Sequence, residues 1–232
     1  MIDFYGLTSP NVVKIFIMLE ELELPYRFIP VDVWKSENFK PDFLKLNPNA
    51  KIPVIVDRDG PGKDPFVVFE SGAILLYLAD KSGRFLAEDR RERFEQIQWL
   101  MIQLTGIGPM FGQWAYFDRY APPGNEHSLT RYYTEVRRLY DLLEQRLGQT
   151  PYIGGSDYSI ADISTFPWIR IHQRHGVNWQ SHPNLGRWFA AVEGRAGVQR
   201  ALEKLAAVTS ARDVATPEHL DRFFGRGKYA RD

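Results

Sequence analysis

Cysteine is absent from all 232 residues of this chain. That excludes structural disulfides, thiolate zinc sites and any catalytic thiol belonging to the protein itself. If the protein performs thiol chemistry, the sulfur arrives with a ligand. Neither charge sign is in excess. Lys+Arg and Asp+Glu number 29 each, so no overall field favours nucleic acid or an anionic membrane. No apolar run is long enough to span a bilayer. The opening MIDFYGL begins as a strand-like alternation without the basic-then-apolar layout of a signal peptide, so the cytoplasm is the expected location. Internal repeats and low-complexity tracts are also missing.

What is present fits a soluble globular protein, with 44% hydrophobic and 25% charged residues and enough length for one large or two modest domains. Ile2 to Tyr5 reads as a strand, Gly6 to Pro10 as a loop, and Asn11 to Leu22 as a helix with Val12, Ile15, Phe16 and Leu19 on one face. Tyr26 to Val31 reads as a second strand and Ser36 to Leu46 as a weak helix closed by the NPNA turn. Ile52–Val56 and Phe66–Phe69 are strands joined by DRDGPGKDP, and Gly72–Lys81 is the next helix. The order β-α-β-α-β-β-α within residues 1–82 describes a parallel pair extended by a hairpin.

Beyond a linker at Ser82–Asp89 the pattern turns all-α, and residues 90–232 form a second, helical domain. Glu92–Gln113 is one helix bent at TGIGP, and Arg131–Leu147 is another, stopped by Gly148. Ser159-Ile-Ala-Asp162 has the form of a capping box. Leu185–Arg195 and Val198–Leu205 are shorter helices, and the stretch from Ser210 is polar and docks loosely.

Four groups of residues suggest chemistry. Ile52-Pro53 opens a β-branched run. Residue type alone favours a trans proline at a strand start, whereas a cis bond would turn the Ile52 backbone outward to pair with an extended peptide. Glu70-Ser71 stands where a strand gives way to a helix. Either Ser71 is a plain N-cap, or Ser71 and the first helical amides hold a carboxylate while Glu70 holds an ammonium. An α-amino acid head group carries both charges on one carbon. Ser9-Pro10-Asn11 begins the first helix, either as an ordinary start or as a place where the positive helix end, a hydroxyl and an amide lower a thiol's pKa. Tyr5 is a further candidate activator, with core packing preferred from its place in the strand. His172 and His175 have metal-compatible spacing but no carboxylate at a useful offset, so a core role is preferred over a metal site.

The KIPV segment with Pro53, the ESGAILLYLA segment and the SIAD box, in that order, resemble the landmarks of the cytosolic glutathione S-transferases. The likeness runs from Ile2 to about Leu205 and implies a thioredoxin-like first domain followed by a helical bundle. SPNVVK, ESGAILLYLA and IGPMFGQ are most similar to the bacterial Nu class, which implies a glutathione-dependent disulfide-bond reductase. Such proteins take two glutathiones, or oxidised glutathione, in one site. By the resemblance Asn11 faces the glutathione sulfur with Ser9 beside it, and Asn38 contacts the glycyl end. Ile52, beside a cis Pro53, pairs with the cysteinyl unit, and Glu70 and Ser71 hold the γ-glutamyl head. Gln103 reaches into the partner subunit's site of a homodimer, and Arg131 assists a second glutathione. Val12 and Val13 replace the class's Gly-His and narrow or dry the entrance to the sulfur. The second substrate is a small-molecule disulfide or an electrophile, and Phe111, Gln113, Trp114, Tyr116 and Phe117 either line its pocket or, as preferred for Phe111, pack between the domains. A conventional transferase and a non-enzymatic module of the same fold are the alternatives. The second predicts a degraded glutathione site.

Overall fold

The computed structural model describes residues 1–225. It divides into two compact units, Met1–Tyr77 together with the chain from Arg200, and Leu78–Gln199.

In the first unit, β1 (Ile2–Gly6) leads to α1 (Pro10–Leu22), then β2 (Tyr26–Pro30), α2 (Pro41–Leu46), β3 (Val54–Asp57), β4 (Phe66–Phe69) and α3 (Ser71–Ser82). Two single 3₁₀ turns, Val33–Lys35 and Glu37–Phe39, precede α2 in place of the longer weak helix expected there. The strands form one sheet of order β2-β1-β3-β4. β1 and β2 are parallel, while β3 runs antiparallel to both β1 and β4. Tyr5 is opposite Val54, and Val54 is opposite Phe69. The chain leaving β1, the chain entering β3 and the chain leaving β4 therefore meet at one end of the sheet. The Ser9, Ile52 and Glu70 segments are brought together in this way.

α1 is buried on every side, from Val12 through Leu22. Gly6 lets the end of β1 pass beside it, since a Cβ there would fall 2.6 Å from Val12 Cγ1. Tyr5 packs with Val31, Phe43 and Val54 and meets the Phe43 ring edge-on, in keeping with the core role preferred for it. At the far end of the sheet Asp3 is clasped by Arg27 and Arg58, which outweigh burial and hold its carboxyl below the usual range.

The domain division differs from the expected 1–82 and 90–232. The break falls within α3, and the chain from Arg200 belongs to the first unit. In α9 (Ala196–Ala206), Arg200 donates to the Glu20 carbonyl at 2.7 Å and Lys204 pairs with the Glu20 carboxylate. The stretch after Ser210 is anchored rather than loose. It contains α10 (Pro217–Phe224), whose Phe223 stacks on Trp34 with centroids 4.3 Å apart. A few aromatics in a polar segment supply that anchor. Residues 226–232, assigned from the sequence to the helical domain, lie outside the described residues.

The second unit holds α4 (Arg90–Ile102), a π-helical turn (Gln103–Ile107), α5 (Gly108–Arg119), α6 (Glu126–Leu147), α7 (Ile160–Ile169) and α8 (Pro183–Glu193). The interruption expected at TGIGP is that π turn. The SIAD segment is a true capping box at the start of α7. Asp162 accepts from Ser159 N at 3.0 Å, Ile153 N at 2.8 Å and Trp188 Nε1 at 2.7 Å, tying α7, α8 and the loop before α7 together. Among the described residues no helix is long and apolar enough to cross a membrane.

Candidate active site

At the shared end of the sheet, α1 begins at Pro10 with Ser9 as its N-cap, and Ser9 Oγ accepts from Val12 N at 3.4 Å. A proline costs nothing at this position because its missing N–H has no helical partner to lose. Ser9 and Asn11 are half-buried. The Asn11 carboxamide has no hydrogen-bond partner among the described residues, so its donor and acceptor remain available at the positive end of α1.

Two buried asparagines shape the approach to β3. Asn47 Nδ2 donates to the Lys51 carbonyl at 2.7 Å while Asn47 Oδ1 accepts from Asn49 N at 2.9 Å. Asn38 Nδ2 donates to the Ala50 carbonyl at 2.8 Å. That bracing holds Ala50 in the left-handed region at φ 54°. The Ile52–Pro53 bond is cis, as the resemblance implies, and Ile52 stands outside the ladder that begins at Val54. Asn38 is buried, gives one Nδ2–H to the Ala50 carbonyl and so braces the loop, while its Oδ1 has no partner.

α3 starts one residue earlier than the pattern suggested. The Glu70 carbonyl accepts the first helical bond, from Ile74 N at 2.9 Å, so Glu70 holds the capping position and Ser71 is the first helical residue. Ser71 is therefore not the N-cap. Its hydroxyl accepts instead from Lys14 Nζ of α1 at 3.1 Å. Glu70 is exposed, has φ 68°, and accepts from Asn49 Nδ2 at 3.3 Å. A non-glycine residue in the left-handed region costs on the order of 1 kcal/mol and marks a position held for a purpose.

Lys14 is the residue that sequence reasoning passed over. It is 0% exposed, and burial brings its ammonium down to about 7, with the Glu70 carboxylate opposing that fall. The signal was in the sequence. Val12, Val13, Ile15, Phe16 and Ile17 surround it, so α1 has no polar face to carry a lysine into water.

The remaining expected residues lie in the second unit. Gln103 is fully buried in the π turn, with Nε2 close against Gly108. The wide π turn shifts the helical phase by about 100°, which a 3.6-residue reading does not anticipate. Arg131 stands exposed on α6 and pairs with Glu135 at 2.8 Å. Phe111 and Trp114 are buried and pack against His175, whose Nδ1 lies 2.8 Å from the Tyr140 hydroxyl. Phe111 is thus a core residue of the second unit, and Trp114 belongs with it. His172 and His175 are both buried within this unit.

A sheet of this order bearing helix N-termini and a proline-led strand at one end, followed by an all-helical unit, defines a thioredoxin-like protein with a helical second part. The family model described as "Glutathione S-transferase, N-terminal domain" matches residues 8–81, and its C-terminal-domain counterpart matches residues 126–191. The chain is 44% identical over 205 residues to the disulfide-bond oxidoreductase YfcG of Escherichia coli strain K12, covering 88% of this chain and 95% of that one. A glutathione transferase family member from Pseudomonas fluorescens, solved with two glutathione bound, matches at 45% identity and TM-score 0.82, over 87% of this chain and 92% of that one. A glutathione transferase from Pseudomonas putida, solved with one glutathione disulfide per subunit, matches at 40% identity and TM-score 0.82, over 87% and 90%. The chain belongs to the glutathione S-transferase family.

Proposed function

We propose that this protein is a glutathione-dependent disulfide-bond reductase of the Nu type. The observation that carries this is the first turn of α1, which presents Ser9 and Asn11 in a chain without a single cysteine. The relatives support it, since one is named a disulfide-bond oxidoreductase and two were solved with paired glutathione or its disulfide.

The residues fit the tripeptide. Two strand spacings separate β1 from β4, about 10 Å, which matches three extended residues. Glu70 offers a carboxylate to the γ-glutamyl ammonium, and Ser71 offers its hydroxyl and the first amides of α3 to the carboxylate. Ile52, outside the ladder beside Pro53, offers backbone groups to the cysteinyl unit. Glutathione supplies the sulfur nucleophile that this chain lacks. Ser9, Asn11 and the positive end of α1 stabilise the thiolate form, and the rest of the site holds it in place for attack. Reduction of a small disulfide consumes two glutathiones and yields two thiols and glutathione disulfide. Arg131 is the side chain we assign to the second glutathione.

A homodimer belongs to the same proposal. Phe66 and Phe69 on the edge strand β4, and Phe94 and Met101 on α4, are large apolar groups exposed on each unit. Residues 1–82 and 90–199 are our functional division, with the chain from Arg200 assigned to the first unit. The cytoplasm, where glutathione is kept reduced, is the compartment this chemistry requires.

Turnover with glutathione should be compared for hydroxyethyl disulfide and chlorodinitrobenzene. The reading expects the disulfide to be far the better substrate. Preference for chlorodinitrobenzene would make the protein a conventional transferase, and no turnover with either would leave a non-catalytic relative.

A further inference from the structure

Lys14 sits under the start of α3, and its bond to Ser71 has a direction. An ammonium carries only donors, so while Lys14 is charged, Ser71 Oγ must accept and the hydroxyl proton is left for an anion. A neutral amine also carries a lone pair. It can take the Ser71 proton as an acceptor, turning the hydroxyl's oxygen, with no proton to offer, towards any anion. The charge on Lys14 thus sets the polarity of the hydroxyl at the N-terminus of α3.

We propose that Lys14 is a positioning residue for the carboxylate held at Ser71, and that binding this carboxylate draws a proton from solution onto Lys14. The inference rests on the reading that the γ-glutamyl carboxylate binds there. A carboxylate one hydroxyl away favours the ammonium by direct attraction and through the oriented Ser71 bond.

The surroundings leave Lys14 responsive near neutrality, where burial has brought it to about 7. From the β4–α3 junction, Glu70 faces it and favours the charge. On α1 itself, Glu20 lies nearly two turns further along and is bound by Tyr26, Arg200 and Lys204, with Glu21 beside it. From β1, Asp3 is held by Arg27 and Arg58, and from β3, Asp57 accepts from Tyr77.

The test is calorimetric titration of the whole protein with S-methylglutathione, which has no thiol to ionise, in buffers of different ionisation enthalpy at pH 7. The proposal expects uptake of about half a proton per site, as for a group half-charged when free and fully charged when bound. It also expects binding about tenfold weaker at pH 8 than at pH 6. Lys14→Met should bind with no proton uptake and the same affinity at both pH values. Binding to the wild-type protein without buffer-dependent heat, or uptake that persists in Lys14→Met, overturns the inference and leaves the site reading intact. No heat of binding at all overturns the site reading itself. Should Lys14→Met not fold, the wild-type affinities at pH 6 and pH 8 decide the matter alone, and equal values overturn the proposal.

Discussion

Replacing Lys14 with methionine should stabilise the folded protein at neutral pH and flatten its pH dependence. Methionine keeps most of the apolar stem and removes the charge. Burial lowers the Lys14 ammonium from its ordinary 10.5 to about 7. Between those two values the unfolded chain holds a proton that the native chain has released. Unfolding free energy therefore rises with pH across that window, by at most about 1.4 kcal/mol per pH unit. The penalty is complete below this window and gone above it. At pH 7 it amounts to something on the order of 4 kcal/mol. Losing the bond to Ser71 offsets roughly 1–2 kcal/mol of the gain from removing the charge. A net stabilisation of about 2–3 kcal/mol is expected at pH 7, shrinking by roughly 2 kcal/mol at pH 9. Urea unfolding of both proteins at pH 7, 8 and 9 measures the gap. A gap that does not narrow with pH, or a variant less stable than wild type at pH 7, refutes the account of Lys14.

Asp162→Ala strips four donors of their buried acceptor and should cost about 3–5 kcal/mol in urea unfolding; a loss below about 1 kcal/mol would mean that Asp162 does not tie α7 to α8. Trp34→Ala removes the surface on which Phe223 stacks, and should expose the segment after Ser210 to limited proteolysis. Unaltered cleavage would show that α10 is held by other contacts. Glu70→Ala should raise the KM for glutathione with little change in kcat, because its carboxylate meets the amino end of the tripeptide and not the sulfur. A fall in kcat at constant KM would reverse that assignment.

Much of the first unit was legible because its signals are local. Strands with period-two alternation, the loop at DRDGPGKDP and the proline after Ser9 fix the element order, and the order alone puts Ser9, Ile52 and Glu70 at one sheet end. Lys14 was legible only to a reader asking where a charge goes in a helix apolar all round. Asn38 and Asn47 could not be read, since nothing in an asparagine's neighbours announces that its amide will brace a carbonyl several residues on. The return of α9 and α10 to the first unit depends on Glu20 and Trp34, distant partners that no local period encodes.

The central claim is that a sulfur carried in by glutathione becomes reactive at the start of α1, and the pKa of that bound thiol tests it most directly. Ultraviolet thiolate absorbance of the glutathione complex should be followed against pH, with the S-methylglutathione complex subtracted. The account predicts a midpoint well below the ordinary thiol value of about 8.5 in the wild-type protein, and a return towards that value in Asn11→Ala. A bound thiol that ionises at the free value in the wild-type protein, or that is unmoved by Asn11→Ala, would contradict it.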